Sequence, residues 1–137
     1  MTDLFAGIGA ASSALSAERL RMTVAAENLA NAGNTKRLGN GLPYQRQKVS
    51  FQAVLDQQGE RSGQVSAKVL DSPRYTARYE PGHPDADADG RVMEADIDPV
   101  LELTDLMTAS KAYEANVNSV RGLMRMHEQA LRLGDIA

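Results

Sequence analysis

The sequence predicts a mainly α-helical protein with a small β element. Long N- and C-terminal helices pack as an antiparallel coiled coil, and short antiparallel strands lie between them. Two heptad runs and one alternating stretch predict this. At the front, Ile8, Leu15, Met22 and Leu29 fall seven apart. At the back, Leu103, Ser110, Val117, Met124 and Leu131 do the same, with Leu106, Tyr113, Val120 and His127 as a second line. A repeat of seven keeps one stripe of a slightly under-wound helix facing a partner helix. Between the runs, Val49, Phe51, Ala53 and Leu55 alternate with other residues, the period of a half-buried strand.

The first helix is expected over residues 4–31. Its second line is weaker: Leu4, Ala11 and Ala25 fit, and Glu18 interrupts it. Asn31-Ala32-Gly33-Asn34 then supplies residues that tolerate the left-handed conformation common at helix ends. Residues 34–43 read as a loop, broken by Gly39, Asn40, Gly41 and Pro43. After the strand over 49–55 comes a polar turn at 56–64. Val65, Ala67 and Val69 alternate again, as do Tyr75, Ala77 and Tyr79, so two or three short strands are expected. Asp98 suits an N-cap and Pro99 the first helical position of a helix over 99–133. Glu102 and Asp105 place negative charge near the positive end of that helix dipole. The chain therefore divides into an N-terminal helix (1–33), a central β-rich and loop region (34–97) and a C-terminal helix (98–137), the two helices forming one layer.

A chain of 137 residues is one domain by size. Its core is expected to be thin: there is no Trp, and only two Phe and four Tyr. Aromatics bury the most area per residue, roughly 150–250 Å² each, so stability should lean on association. The net charge of −3 argues against a nucleic-acid binder, which would show a basic footprint. The absence of Cys excludes disulfides and thiolate chemistry. No apolar run reaches about 18 residues, so no membrane-spanning helix is expected. Residues 4–15 have some signal-like apolar character, but Asp3 sits where a positive region belongs, and the first basic residue is Arg19. A cleaved secretory signal is not expected.

The sharpest local pattern is Asp85-Ala-Asp87-Ala-Asp89-Gly90, with Asp96 at the twelfth position. Alternating carboxylates around a glycine turn can converge oxygen ligands on Ca²⁺, as in an EF-hand loop. Against this, Asp stands where a bidentate Glu belongs, and Pro81-Gly82-His83-Pro84 cannot form the entering helix. A solvated acidic turn is the plainer reading; calcium binding through Asp85, Asp87, Asp89 and Asp96 is the alternative. His83 beside these aspartates makes a poor case for a hydrolytic metal centre. No Ser sits in a G-x-S-x-G elbow, and Gly7-Ile8-Gly9 follows no strand, so neither an esterase nucleophile nor a phosphate loop is indicated. No catalytic residue and no cofactor are expected.

Charge is uneven. Between Asn28 and Leu55 the charged residues are Lys36, Arg37, Arg46 and Lys48; between Glu80 and Asp98 all are acidic except Arg91. These are two solvated loops or a complementary pair of surfaces on successive copies.

Several motifs carry a resemblance. Ala26-Glu27-Asn28-Leu29-Ala30-Asn31 with Thr35 resembles the N-terminal signature of bacterial flagellar rod and hook proteins. Gly41-Leu42-Pro43-Tyr44-Gln45-Arg46, the run from Pro81 to Gly90, and Ala109-Ser110-Lys111-Ala112-Tyr113-Glu114-Ala115-Asn116-Val117 are similar to motifs of a proximal-rod member of that family. The resemblance spans nearly the whole chain. It implies a non-enzymatic structural subunit of the basal-body rod, polymerising through its terminal helices into the shaft that crosses the periplasm. The terminal helices would form an inner tube and the β-rich part would lie outside it. Export would proceed through the flagellar type III apparatus without signal cleavage. The implied partners are further copies of the chain, other rod proteins, and the basal-body ring and export apparatus.

The residues expected to carry packing and assembly are Ile8, Leu15, Met22, Leu29, Leu103, Leu106, Tyr113, Val117, Val120, Met124 and Leu131. Asn28 and Asn31 are either helix-end hydrogen-bonders or contacts between neighbouring subunits.

Overall fold

The computed structural model describes residues 2–57 and 59–134, without the side chains of residues 2–4, 61, 133 and 134. Leu4's expected place on the front stripe therefore lies outside the described residues, as do residues 135–137. Two helices, α1 (Thr2–Ala30) and α2 (Pro99–Gly134), flank four strands: β1 (Gln47–Leu55), β2 (Arg61–Asp71), β3 (Tyr75–Tyr79) and β4 (Arg91–Ala95). The strands form two separate antiparallel hairpins, β1–β2 and β3–β4.

Both helices end where local chemistry stops them. Gly33 takes φ 72° just beyond α1, and Asn31 Nδ2 donates to the Glu27 carbonyl one turn back at 2.8 Å. At the start of α2, the Val100 N–H donates to Asp98 Oδ1 at 2.9 Å, capping a helix of 36 residues, about 54 Å long at ~1.5 Å per residue.

The helices run antiparallel. Phe5 meets His127 edge-on (ring centroids 6.4 Å apart), Gly7 lies beside Leu123, Arg21 pairs with Asp105, and Asn28 bonds Glu102. Their shared core is made of small residues: Ala17, Val24 and Ala25 of α1 and Ala109 of α2 are buried. On α2 the inward stripe is Glu102, Ala109, Asn116 and Leu123 together with Leu106, Tyr113, Val120 and His127. Only the second of the two lines read from sequence thus faces α1. The line through Leu103, Ser110, Val117, Met124 and Leu131 sits one residue round, at the margin. Glu102 and Asn116 are polar and Ala109 is small, so hydrophobicity gives the true inward line no weight.

The β1–β2 hairpin lies across α1. Val65 N–H donates to Ser13 Oγ at 3.0 Å, and that hydroxyl donates to the Ala10 carbonyl at 2.7 Å. Gly63, at φ 77°, lets the strand approach Ala10, within 3.7 Å of where a Cβ on the glycine would stand. Strand β4 is not among the expected strands. It occupies Arg91–Ala95, inside what reads by sequence as a twelve-residue acidic loop, and it buries Val92 and Ala95.

Candidate assembly surface

A buried polar junction joins the end of α1, the entry to β1 and the start of α2. Asn28, only 1 % exposed, uses its whole amide. Its Nδ2 donates to the Gln47 carbonyl at 2.7 Å and to Glu102 Oε2 at 3.0 Å; its Oδ1 accepts from Tyr44 Oη and Gln47 N–H, both at 3.0 Å. Glu102, 3 % exposed, takes Arg46 on its other oxygen, from Nε at 2.8 Å and Nη2 at 2.6 Å. A buried carboxylate persists only when paired and hydrogen-bonded, and both conditions hold here. Burial raises the Tyr44 phenol above its ordinary value of 10.0, and the negative fields of Glu27, Glu102 and Asp71 add to this. One turn further in, Arg21 bonds Asp105 and lies 3.7 Å from Glu18. The bond to Asp105 is the main cause that holds the Arg21 guanidinium above its ordinary value; burial opposes it.

Of the expected site residues, Asn28 lies at the centre of this junction and Asn31 at the end of α1. Ile8, Leu15, Met22 and Leu29 are half-buried along α1, as are Leu106, Tyr113, Val117 and Val120 along α2. Leu103, Met124 and Leu131 are exposed along one margin of α2, with Val100 and Met107 beside that line; Leu101 and Met126 are exposed elsewhere on the helix. Met107 is 55 % and Leu131 57 % exposed.

Sequence reasoning misses the roles of Tyr44, Arg46 and Glu102. A signal exists: Tyr44 and Arg46 sit in the motif that resembles the rod family, whereas Glu102 reads by sequence only as a dipole partner.

The calcium alternative does not fit. Asp87 Oδ1 accepts from the N–H groups of Asp89 and Arg91 at 2.9 and 2.8 Å, and Asp85 Oδ2 accepts from Thr35 Oγ1 at 2.8 Å. Asp96 lies beyond β4, its N–H donating to the Arg74 carbonyl at 3.0 Å. The strand between them removes Asp96 from the loop. Among the described residues no three His, Asp or Glu side chains gather as a metal site, His83 included. The Thr35–Asp85 bond also sets the basic turn beside the acidic one within a single chain, while Arg46 is engaged by Glu102.

Comparison with known proteins shows the family. Residues 88–133, which hold β4 and nearly all of α2, match the family described as flagellar basal body rod FlgEFG protein C-terminal. That places the chain in the class of flagellar basal-body rod proteins. The flagellar basal-body rod protein FlgC of Bacillus subtilis (strain 168) is 34% identical over 146 residues, spanning 95% of this chain and 97% of the relative. FlgC of Salmonella typhimurium is 40% identical (90% and 92% covered), and that of Aquifex aeolicus 33% (87% and 88%). The chain belongs to the FlgC family of flagellar basal-body rod proteins. No helix among the described residues is long and apolar enough to cross a membrane.

Proposed function

We propose that this chain is a non-enzymatic subunit of the proximal rod, polymerising through its terminal helices into the periplasm-spanning drive shaft. Its partners are further copies, other rod proteins, and the ring and export apparatus of the basal body. It reaches the rod through the flagellar type III route rather than by a cleaved signal. The division into 1–33, 34–97 and 98–137 then has a functional meaning: the helices form the axial layer and the hairpins its outside.

The observation that carries the reading is the exposed apolar margin of α2. Leu103, Met107, Met124 and Leu131 lie along a helix whose inner side is already occupied by α1. Covering them needs another subunit, and contacts between unlike surfaces that do not close generate a helical polymer. Ile8, Leu15, Met22 and Leu29 with Val117 and Val120 serve the clasp between α1 and α2. Leu103, Met124 and Leu131 serve the contact with neighbours.

The double variant Leu103→Glu/Met107→Glu tests this. It should keep wild-type helicity by circular dichroism, lose self-association in sedimentation velocity by at least about tenfold per residue, and fail to restore swimming. Wild-type assembly by the folded variant would reject the proposal.

A further inference from the structure

Of the four outer strand edges, that of β2 packs on α1 and that of β4 is bonded at Arg91 and Ala95, so those of β1 and β3 are the most open. In an antiparallel ladder, alternate residues turn their backbone groups toward the partner strand and away from it. In β1–β2, the Ser72 N–H bonds the Arg46 carbonyl at 2.8 Å, which sets the even-numbered residues of β1 facing β2. The odd-numbered ones face outward: Gln47 gives both backbone groups to Asn28, and on the other strand Val65 N–H reaches Ser13. The outer edge of β2 thus rests on α1. That of β1 is capped only at Gln47. No described residue bonds the outward N–H and C=O groups of Val49, Phe51 and Ala53. Strand β1 makes no close backbone contact with α2. A cleft of about 370 Å³ lies along this edge, with Val49 and Phe51 on one side and Glu102 and Asp105 on the other.

The same reasoning holds for β3–β4. Bonds from Glu80 N–H to the Gly90 carbonyl and from Asp96 N–H to the Arg74 carbonyl, at 2.8 and 3.0 Å, turn the even-numbered residues of β3 inward. The outward groups of Tyr75, Ala77 and Tyr79 have no bond to a described residue. Unpaired edges are templates for another strand, and proteins that must avoid this place proline there; neither edge carries one.

We infer that the β1 edge of one copy pairs with the β3 edge of the next, joining two hairpins into one intermolecular four-stranded sheet. This rests on the rod reading. The occupant follows from symmetry and side chains. A β1–β1 contact would be two-fold and would close as a dimer, whereas β1 against β3 is heterologous and propagates. Pairing sets Val49, Phe51 and Ala53 against Tyr75, Ala77 and Tyr79. Those are aliphatic–aromatic cross-strand neighbours, and they cover Phe51 and Tyr79, which are 41 % and 74 % exposed on the single chain.

The full chain contains no cysteine, so engineered cysteines report cleanly. A mixture of Phe51→Cys and Ala77→Cys chains, directly opposed in this pairing, and one of Ala53→Cys and Tyr75→Cys, opposed when the strands run antiparallel, is oxidised mildly at assembling concentration. At least one mixture should give disulfide-linked heterodimers in excess of either homodimer. In parallel, Ala53→Pro and Ala77→Pro each remove one outward N–H and spare the hairpin's own ladder; each should weaken self-association by about tenfold. Absence of preferential heterodimers overturns the inference, and so does wild-type association of both folded proline variants. A variant that fails to fold leaves the cross-linking to decide. If the proline variants associate normally while Leu103→Glu/Met107→Glu does not, the rod reading stands and the edge pairing falls. If the unmodified chain never associates, both fall.

Discussion

Asn28 commits every hydrogen-bonding position of its side chain to Tyr44, Gln47 and Glu102, at a site water barely reaches. Replacing it with Ala strands the Gln47 backbone, the Tyr44 hydroxyl and one oxygen of Glu102. Each buried group left unpaired costs about 1–3 kcal/mol, and local relaxation recovers part of this. Asn28→Ala should therefore lower the unfolding free energy by about 2–4 kcal/mol in urea titrations. A loss below about 0.5 kcal/mol would mean the junction is not built as described. Tyr44 adds a pH signature. Its folded-state pKa is raised, so the stability it lends is whole below the unfolded value of 10.0 and is lost as pH climbs through the folded one. Stability should fall on the alkaline side of that value, and Tyr44→Phe should flatten the fall. An unchanged alkaline limb in the variant would remove Tyr44 from the account. Gly90 shows what a sequence hides at this scale: it reads as the turn glycine of a cation loop. Its φ of 74° and the 3.0 Å approach of Pro81 to a would-be Cβ tie it instead to the β3–β4 turn.

Among the elements, those with long repeats are the ones legible in the sequence. Both helices end within a few residues of where the heptads and breakers put them, and β1, β2 and β3 each cover the alternating stretch that predicts them. Strand β4 is hidden because its apolar residues, Val92, Met93 and Ala95, do not alternate with polar ones and it sits within an array of aspartates whose spacing suggests metal ligation. Carboxylate spacing alone cannot distinguish ligands from turn acceptors: Asp87 accepts two N–H groups in the same geometry a loop would need to present it to a cation. The inward stripe of α2 is half legible. The line from Leu106 to His127 is apolar or aromatic and stands out. The line from Glu102 to Leu123 includes a buried charge that becomes tolerable only once Arg46 and Asn28 arrive from other elements. The start of α2 makes a simpler prediction. Asp98 accepts from the first free N–H groups of the helix, so Asp98→Ala should cost about 1 kcal/mol. A matching loss of helix content on heating should accompany it; full retention of stability would show that Asp98 is dispensable as a cap.

At the scale of the whole molecule, the chain is two long helices held by alanines and one polar junction, with the β1–β2 hairpin laid across α1 and little else inside. Such a molecule buries modest apolar area for its length, and helices of this kind owe their stability to what packs against them. The exposed margin of α2, with leucine and methionine turned to water, is the part a single copy leaves unfinished. On the proposed function, polymerisation completes it. A cryo-electron-microscopy map of this chain in its polymer tests that most directly. The account predicts α1 and α2 together in the innermost layer, with Leu103, Met107, Met124 and Leu131 covered by adjacent subunits. A map with the helix pair on the outside, or with those side chains still facing solvent, would contradict it.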